Sequence, residues 1–459
     1  MKIKSIALFL GVILCGCFAQ ASDVTISDVV VRQRWPWSRL VDIDYVMTCD
    51  ATQRVDVVLT AKDGSETLTL PSNSLAGDLY GVTHGPRRIT WDPTKTVYTN
   101  SQMLTQFNVT LTTTSVPLYM IVDLTKAAGA EGQITYVSEV DLASGVYGTV
   151  ETNPVAGVNS MVWTGVTNDV AYATSKLVLR RVTAGTFTMG SPAGEVGRGN
   201  NEYQHTVSLT KDFYIGVFEA TQKQWHLMMG NWPSLLSNVA LRDTRPVEGV
   251  NYFTIREDAT TIKGADDPAV DWPSNAAVNE GSFMGVLRTK TGIYDFDLPT
   301  EAQWEYAYRA GTTAALYSDL NLTNETSDAE LDPLGRYKCN GGLLWNSETG
   351  KWDTPPWGSA AASNLTAKAG SYLPNAWGIY DMAGNGAEIC LDWLSTDLRT
   401  LPAIDPVGPV EPVPSNIRRV SRGGAWTGSA STCRAAFRGY HVQDDRSYNN
   451  AFRIVRRLP

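Results

Sequence analysis

From Asn340 to the C-terminus, glycine, proline, asparagine and tryptophan recur without a helical or strand period. A stretch that long cannot satisfy its backbone with regular ladders, so it needs a bound ion or a dense side-chain network to hold it. The 14 Trp and 19 Tyr suit such a fold, because large flat rings pin irregular segments or present a surface for sugars or peptides. The length of 459 residues accommodates two or three domains. A formal net charge of −9 and the lack of any basic run argue against nucleic acid or an anionic membrane as partner.

The N-terminus reads as an export signal over residues 1–21. Lys2 and Lys4 precede the apolar stretch Ile6 to Ile13, and Ala19-Gln20-Ala21 supplies a small-x-small cleavage site. That places the protein in the periplasm, at the cell surface or outside the cell, a bacterial envelope setting. Leu14-Cys15-Gly16-Cys17 also allows a lipid anchor at Cys17. No segment supplies the ~20 apolar residues of a membrane span, so no transmembrane segment is expected. Cys49, Cys339, Cys390 and Cys433 remain beyond the signal and permit more than one disulfide pairing. None has zinc spacing, and the histidines at 84, 205, 226 and 441 are too scattered for a His-based triad.

Residues 22–115 alternate with period two. Val41-Asp42-Ile43-Asp44-Tyr45, Val55-Asp56-Val57, Arg87-Arg88-Ile89-Thr90-Trp91 and Phe107-Asn108-Val109-Thr110-Leu111 put apolar side chains on one face. Asp63-Gly64 and His84-Gly85-Pro86 supply turns, and the pattern predicts an all-β immunoglobulin-like sandwich. Residues 116–176 read as a connection, part of which packs onto the C-terminal domain, with a buried strand at Leu118 to Asp123. From 177 the character changes. Leu177 to Val182 and Gly185 to Gly190 predict a hairpin feeding a glycine-rich loop. Thr221 with Gln224, and Thr300 with Gln303, predict two helices by their capping boxes, the first closed by Gly230. In the second, Trp304, Ala307 and Tyr308 share a face and Glu305 pairs with Arg309. A third helix is expected from Ser282, burying Phe283, Val286 and Leu287. The fold class is therefore α+β.

A set of ordered motifs runs from 177 to 457: Gly185-Thr-Phe-Thr-Met-Gly190, Phe213-Tyr-Ile-Gly-Val-Phe-Glu-Ala-Thr221, Pro246-Val247 with Val250-Asn251-Tyr252, Leu298-Pro-Thr-Glu-Ala-Gln-Trp-Glu-Tyr306, Gly378-Ile-Tyr-Asp-Met-Ala-Gly-Asn385, Arg422-Gly-Gly-Ala-Trp426 and Phe452-Arg453. In that order they resemble the formylglycine-generating enzyme (sulfatase-modifying factor) family, whose fold is a variant of the C-type lectin fold. The resemblance implies that 177–459 is one such domain. It also implies a structural calcium held by Asp381, the carbonyls of Gly384 and Gly386, and Glu388. Two carboxylates separated by glycines whose carbonyls can turn inward suit a hard cation. A second calcium is implied within 335–355 without assignable ligands.

For catalysis the resemblance points the other way. The family motif is Arg-Gly-Gly-Ser-aromatic-x-Cys-x4-Cys, whose two thiolates hold Cu(I) for oxidation of a substrate cysteine. Here Gly428 stands at the first Cys, Ala425 at the Ser, and Cys433 alone is left as a catalytic candidate. The neighbouring Asn385-Gly386-Ala387-Glu388-Ile389 lacks the family's two tryptophans. The missing ligand argues against copper and leaves Cys433 a buried structural thiol or a disulfide partner of Cys339 or Cys390. The reading is an exported member of the family acting as a binding or surface protein, with a protein or glycan ligand at its C-terminal loops. Arg422, Trp426, Arg438, Tyr440, His441 and Asp444 are the candidate contacts. A cysteine-to-formylglycine oxidase of exported sulfatases, or another enzyme on the same scaffold, are the alternatives.

Overall fold

The computed structural model describes residues 24–34, 38–50, 53–71, 74–98, 104–115, 117–137, 151–152, 162–163, 166–167, 169–236, 238–257, 278–341, 344–346, 349, 351–353, 365–395, 397–409 and 417–458. The signal and anchor readings at 1–21, and part of the 335–355 region, fall outside them. The chain divides into an N-terminal unit up to Pro117 and a C-terminal unit formed by Leu118–Thr291 and Phe296–Arg456.

The N-terminal unit is all β. Its strands are β1 (Thr25–Gln33), β2 (Val41–Thr48), β3 (Val55–Asp63), β4 (Glu66–Thr67), β5 (Leu75–Gly77), β6 (Gly85–Trp91) and β7 (Phe107–Ser115). They form two sheets, ordered β1-β2-β6-β5 and β4-β3-β7. Alternation explains the packing. Val41, Ile43, Tyr45, Val57, Ile89 and Trp91 point into one shared core, where Trp91 stacks on Phe107 at 5.5 Å. The intervening Asp42 and Asp44 meet Arg34 at 2.8 Å and Arg88 at 2.5 Å across the outer face.

The C-terminal unit is built on a six-stranded sheet. It contains β8 (Tyr119–Asp123), β9 (Ile134–Val137), β10 (Lys176–Val182), β13 (Phe213–Gly216), β14 (Phe296–Asp297) and β19 (Val455–Arg457), in the order β14-β19-β13-β10-β8-β9. Two strands from the stretch expected as a connection are thus integral to this sheet. The expected hairpin between Leu177 to Val182 and Gly185 to Gly190 does not form. Strand β10 pairs with β8 and β13, whereas β11 (Gly185–Met189) pairs with β12 (His205–Leu209). Asp212 holds the corner between the two pairings, accepting from Ala184 N at 2.8 Å and from Arg181 Nε at 3.0 Å.

Among the described residues, three helices of eight or nine residues pack around the sheet: α1 (Gln222–Met229), α2 (Phe283–Thr291) and α3 (Glu301–Arg309). Both predicted capping boxes are made, and Gly230 ends α1 in the left-handed region at φ 74°. In α2, Phe283, Met284 and Leu287 are buried, while Val286 is only half-buried. Trp304, Ala307 and Tyr308 of α3 are fully buried, as their common face requires. A second, four-stranded sheet, ordered β17-β16-β15-β18, carries the C-terminal motifs on β15 (Ala387–Trp393), β16 (Arg419–Arg422), β17 (Gly439–His441) and β18 (Asn450–Ala451).

Candidate functional site

The segment immediately after β16 determines what the site can do. Gly423 and Gly424 turn the chain through the left-handed region at φ 87° and 72°. A Cβ on Gly423 would lie 3.0 Å from Met382 O and 3.1 Å from the Trp304 ring, so glycine is required for close approach as well. The turn delivers Ala425 to Gly428 and then a short 3-10 helix, Ala430–Cys433. Cys433 lies at its end, fully buried, with Sγ 3.9 Å from Ser429 O. Burial pushes its thiol up to about 12, so at neutral pH it is protonated. All four cysteines beyond the signal are free thiols, so the disulfides left open by the sequence are not made. The segment offers one protonated thiol, not two thiolates.

Most of the expected contact residues are committed inside the fold. Arg422 pairs with Glu305 and donates to Ala435 O at 2.9 Å and Ala436 O at 3.0 Å, beneath the face of Trp304 at 5.4 Å. Arg438 grips both oxygens of Glu301 at 2.6 and 2.8 Å and donates to Ser395 O at 2.7 Å. Trp426 is sealed among Leu236, Leu365 and Tyr448, its Nε1 donating to Tyr448 O at 3.2 Å. His441 is buried, and Asn450 lies 2.7 Å from its Nδ1. Desolvation drives the imidazole down to about 4, which keeps it neutral. These four are corrections to the sequence expectation. A guanidinium flanked by glycines reads as available, but here the carboxylates of α3 enclose it.

Tyr440 and Asp444 do face solvent. Tyr440 is 54% exposed on β17, the edge of its sheet, and the Arg418 guanidinium stacks on its ring at 3.9 Å. Val442, two residues on, is also exposed. Arg418 was missed by sequence reasoning. Its only signal was the Arg418-Arg419 doublet, of which Arg419 turns inward to Glu257 at 2.9 Å.

The first expected calcium ligand, Asp381, is a left-handed residue with φ 56°. One Asp381 oxygen accepts from Gly370 N at 2.6 Å; the other is buried without a hydrogen-bond partner. Glu388, however, receives Trp304 Nε1 at 2.7 Å and Arg453 at 2.6 and 2.9 Å. Its charge is already neutralised. Among the described residues no three Asp, Glu, His or Cys side chains converge as a metal cage. Of the expected calcium ligands, the Glu388 carboxylate is thus already occupied by Trp304 and Arg453, and one Asp381 oxygen is left over. The acidic partner of the loop is instead Glu219, which sequence reasoning passed over. It accepts from Asn385 Nδ2 at 2.5 Å and Gly386 N at 2.9 Å. Burial first, then Glu388 and Asp381 nearby, hold Glu219 well above the ordinary carboxylate range.

Asp381 gives a prediction with a definite sign. Burial raises its carboxyl to about 6, above its unfolded value of 3.8, so the folded state binds the extra proton. Stability is present below the unfolded value and is lost as pH rises through about 6. Asp381→Asn is therefore expected to gain roughly 1–3 kcal/mol at pH ~8 and almost nothing near pH ~4. Thermal melts across that range check it. A loss at pH ~8 that vanishes when a chelator removes calcium from both proteins would instead restore the cation.

The profile of the sulfatase-modifying factor enzyme 1-like domain matches residues 171–458. The chain belongs to that family. It is 29% identical over 254 residues to the chaperone protein LppX of Paenibacillus barcinonensis, covering 53% of this chain and 80% of that one. To the formylglycine-generating enzyme of Streptomyces coelicolor it is 36% identical over 162 residues, 34% of this chain and 46% of the enzyme. The match thus spans about half of that enzyme's length. The bovine formylglycine-generating enzyme is 25% identical, with 60% of this chain and 73% of the enzyme covered. Among solved structures, Treponema denticola variable protein 1 has 26% identity and a TM-score of 0.43, covering 62% of this chain and 96% of that one. No helix among the described residues is long and apolar enough to cross a membrane.

Proposed function

We propose that this protein is an exported binding protein of the sulfatase-modifying factor family, without the two-thiolate copper chemistry, that recognises an extended protein segment at the Tyr440 edge. The single observation that carries this reading is the state of the catalytic segment. Cys433 is buried and protonated, and position 428 has no ligand atom to give. A soft Cu(I) ion wants two thiolates, and the residues present do not fit it. The edge strand β17 supports recognition instead: Tyr440 and Val442 project outward, and Arg418 holds the Tyr440 ring in place. Rigid aromatic residues of this kind carry contact area with little loss of side-chain freedom. The name of the Paenibacillus relative, a chaperone, favours a protein ligand over a glycan. The export reading rests on the signal at 1–21. The N-terminal unit is taken as an immunoglobulin-like spacer, since the order β1-β2-β6-β5 matches the A-B-E-D sheet of such folds.

The test uses two probes. A Cys-x-Pro-x-Arg peptide with Cu(I) and oxygen is expected to be recovered without aldehyde, and turnover would sink the reading. An array of unstructured peptides, beside a glycan array, is expected to retain the protein on peptides. Tyr440→Ala should weaken that retention about tenfold, a loss of ~1.4 kcal/mol. Retention on glycans alone, or an unchanged variant, argues against the protein-ligand reading.

A further inference from the structure

Four strands end the two sheets of the N-terminal unit, and three of them are blunted against further pairing. β4 and β5 are only two and three residues long. β1 carries Asp28 and Arg32 and is broken by a bulge between Ser27 and Val30, where Asp28 sits in the left-handed region at φ 52°. Shortness, charge and bulging are the usual protections of a sheet edge. β7 has none of them. Its nine residues keep an unbroken register against β3, from Val55 opposite Ser115 to Asp63 opposite Phe107, and include no charged residue and no proline. Among the described residues β3 is its one paired neighbour, and β1 of the other sheet comes near it without pairing. The core is open along this side. Ile43, Ile89 and Trp91 are sealed, whereas Val109 and Leu111 of β7, with Val29 and Val31 of β1, are only half-buried. An immunoglobulin-like sandwich places strand F between C and G. With β3 as C, β7 takes the place of F. The chain then enters β8 at Tyr119, and residues 116–118 are too few to return as a G strand.

We propose that β7 is the subunit interface of a symmetric homodimer, in which the β7 strands of two copies pair antiparallel about Leu111 and join their sheets into one. Charge selects a second copy as the occupant. The chain carries a net charge of −9, so two copies repel and meet best where neither presents charge. The other long strands of this unit, β1, β2, β3 and β6, all carry Asp, Lys or Arg. β7 is the exception, and it is self-complementary about a two-fold axis. In that register Leu111 meets the partner's Leu111, and Val109 meets the partner's Thr113, on the core side. On the outer face Asn108, Thr110, Thr112 and Thr114 are exposed. Thr110 lies opposite the partner's Thr112 and Asn108 opposite the partner's Thr114, polar pairs suited to hydrogen bonding across strands. Pairing satisfies the backbone groups of the free edge and covers the half-buried Val109 and Leu111. One strand per copy makes a small interface, so the dimer dissociates on dilution. Each copy spends its one unblunted edge, so assembly stops at two. The dimer is independent of what binds at Tyr440.

Analytical ultracentrifugation of the full chain from ~1 µM to ~1 mM is expected to show a reversible monomer–dimer equilibrium. Hydrogen exchange should slow at the β7 amides as the dimer fills, and not at those of β1. When Thr110→Lys and Thr112→Lys are combined, each introduced lysine faces another across the axis, and the dissociation constant should rise at least about tenfold. Thr110→Glu with Thr112→Glu should do the same, and an equimolar mixture of the two variants should recover pairing as a heterodimer. Both positions are exposed, so the variant monomers should melt where the dilute wild type does, which separates lost pairing from lost fold. The wild-type exchange profile tests the interface even where a variant does not fold. A wild type that stays monomeric throughout, or that grows into open-ended polymers, overturns the proposal. So does a dimer indifferent to the lysines, which would lie on another surface, and so does dissociation that mixing with the glutamate variant fails to reverse. Protection of β7 by an added foreign peptide, with no dimer, would assign the edge to another protein and equally rule out the second copy.

Discussion

Replacing Arg453 by methionine is expected to lower stability by about 3–5 kcal/mol, a large share of what a folded domain has to lose. Arg453 is fully buried and serves four acceptors. It reaches Glu388 at 2.6 and 2.9 Å, Gly216 O at 2.7 Å and Tyr380 O at 2.9 Å. It therefore joins β13, the Tyr380 loop and β15 in one contact. Methionine matches the hydrophobic stem but leaves the Glu388 charge uncompensated beside Glu219 and Asp381. Glu388→Gln in the same chain should recover part of the loss, because a neutral amide does not need the cation. Urea unfolding monitored by tryptophan fluorescence measures both variants. A loss below about 1 kcal/mol for Arg453→Met, with an unchanged denaturant slope, would mean that this ion pair does not hold the loop.

Trp304→Ala carries a comparable expectation, a loss of about 3–5 kcal/mol. Its indole packs at 5.4 Å from the Tyr308 ring and at 5.4 Å from the Arg422 guanidinium, and it blocks any side chain at Gly423. It also donates Nε1 to Glu388 at 2.7 Å. Trp304→Phe separates these roles. It keeps most of the buried ring and removes the hydrogen bond, so a loss of about 1–3 kcal/mol is expected. Because Trp304 and Arg453 share Glu388, the losses from Trp304→Phe and Arg453→Met should not add. Additive losses in the double variant would show that the two act on separate parts of the fold.

The sequence announced much of this scaffold. Capping boxes are local, so Thr221 with Gln224 and Thr300 with Gln303 could be read without tertiary information, and both helices form as expected. Period-two alternation in the N-terminal unit is equally local, since a strand needs only its own pattern to choose a face. The ordered motifs also led to the correct family. The hairpin at Gly185 could not be read this way. Which strand partners which is decided by distant residues, and Asp212 turns β11 away from β10.

The site divides along the same line. Residue identity alone established that position 428 brings no thiol and that Cys433 is the remaining one. It could not show that Arg422, Arg438 and His441 are buried, because a charged side chain is enclosed only when partners from elsewhere in the chain neutralise it. Glu301 and Glu305 on α3 do so here for the two arginines. The long irregular stretch beginning at Asn340 needed an ion or a dense side-chain network. Its own composition posed that choice, and Arg453, Glu388, Trp304 and Glu219 supply a network drawn from separate elements. The answer had to come from tertiary structure, because a buried charge is stabilised by the geometry of its partners and not by their order along the chain.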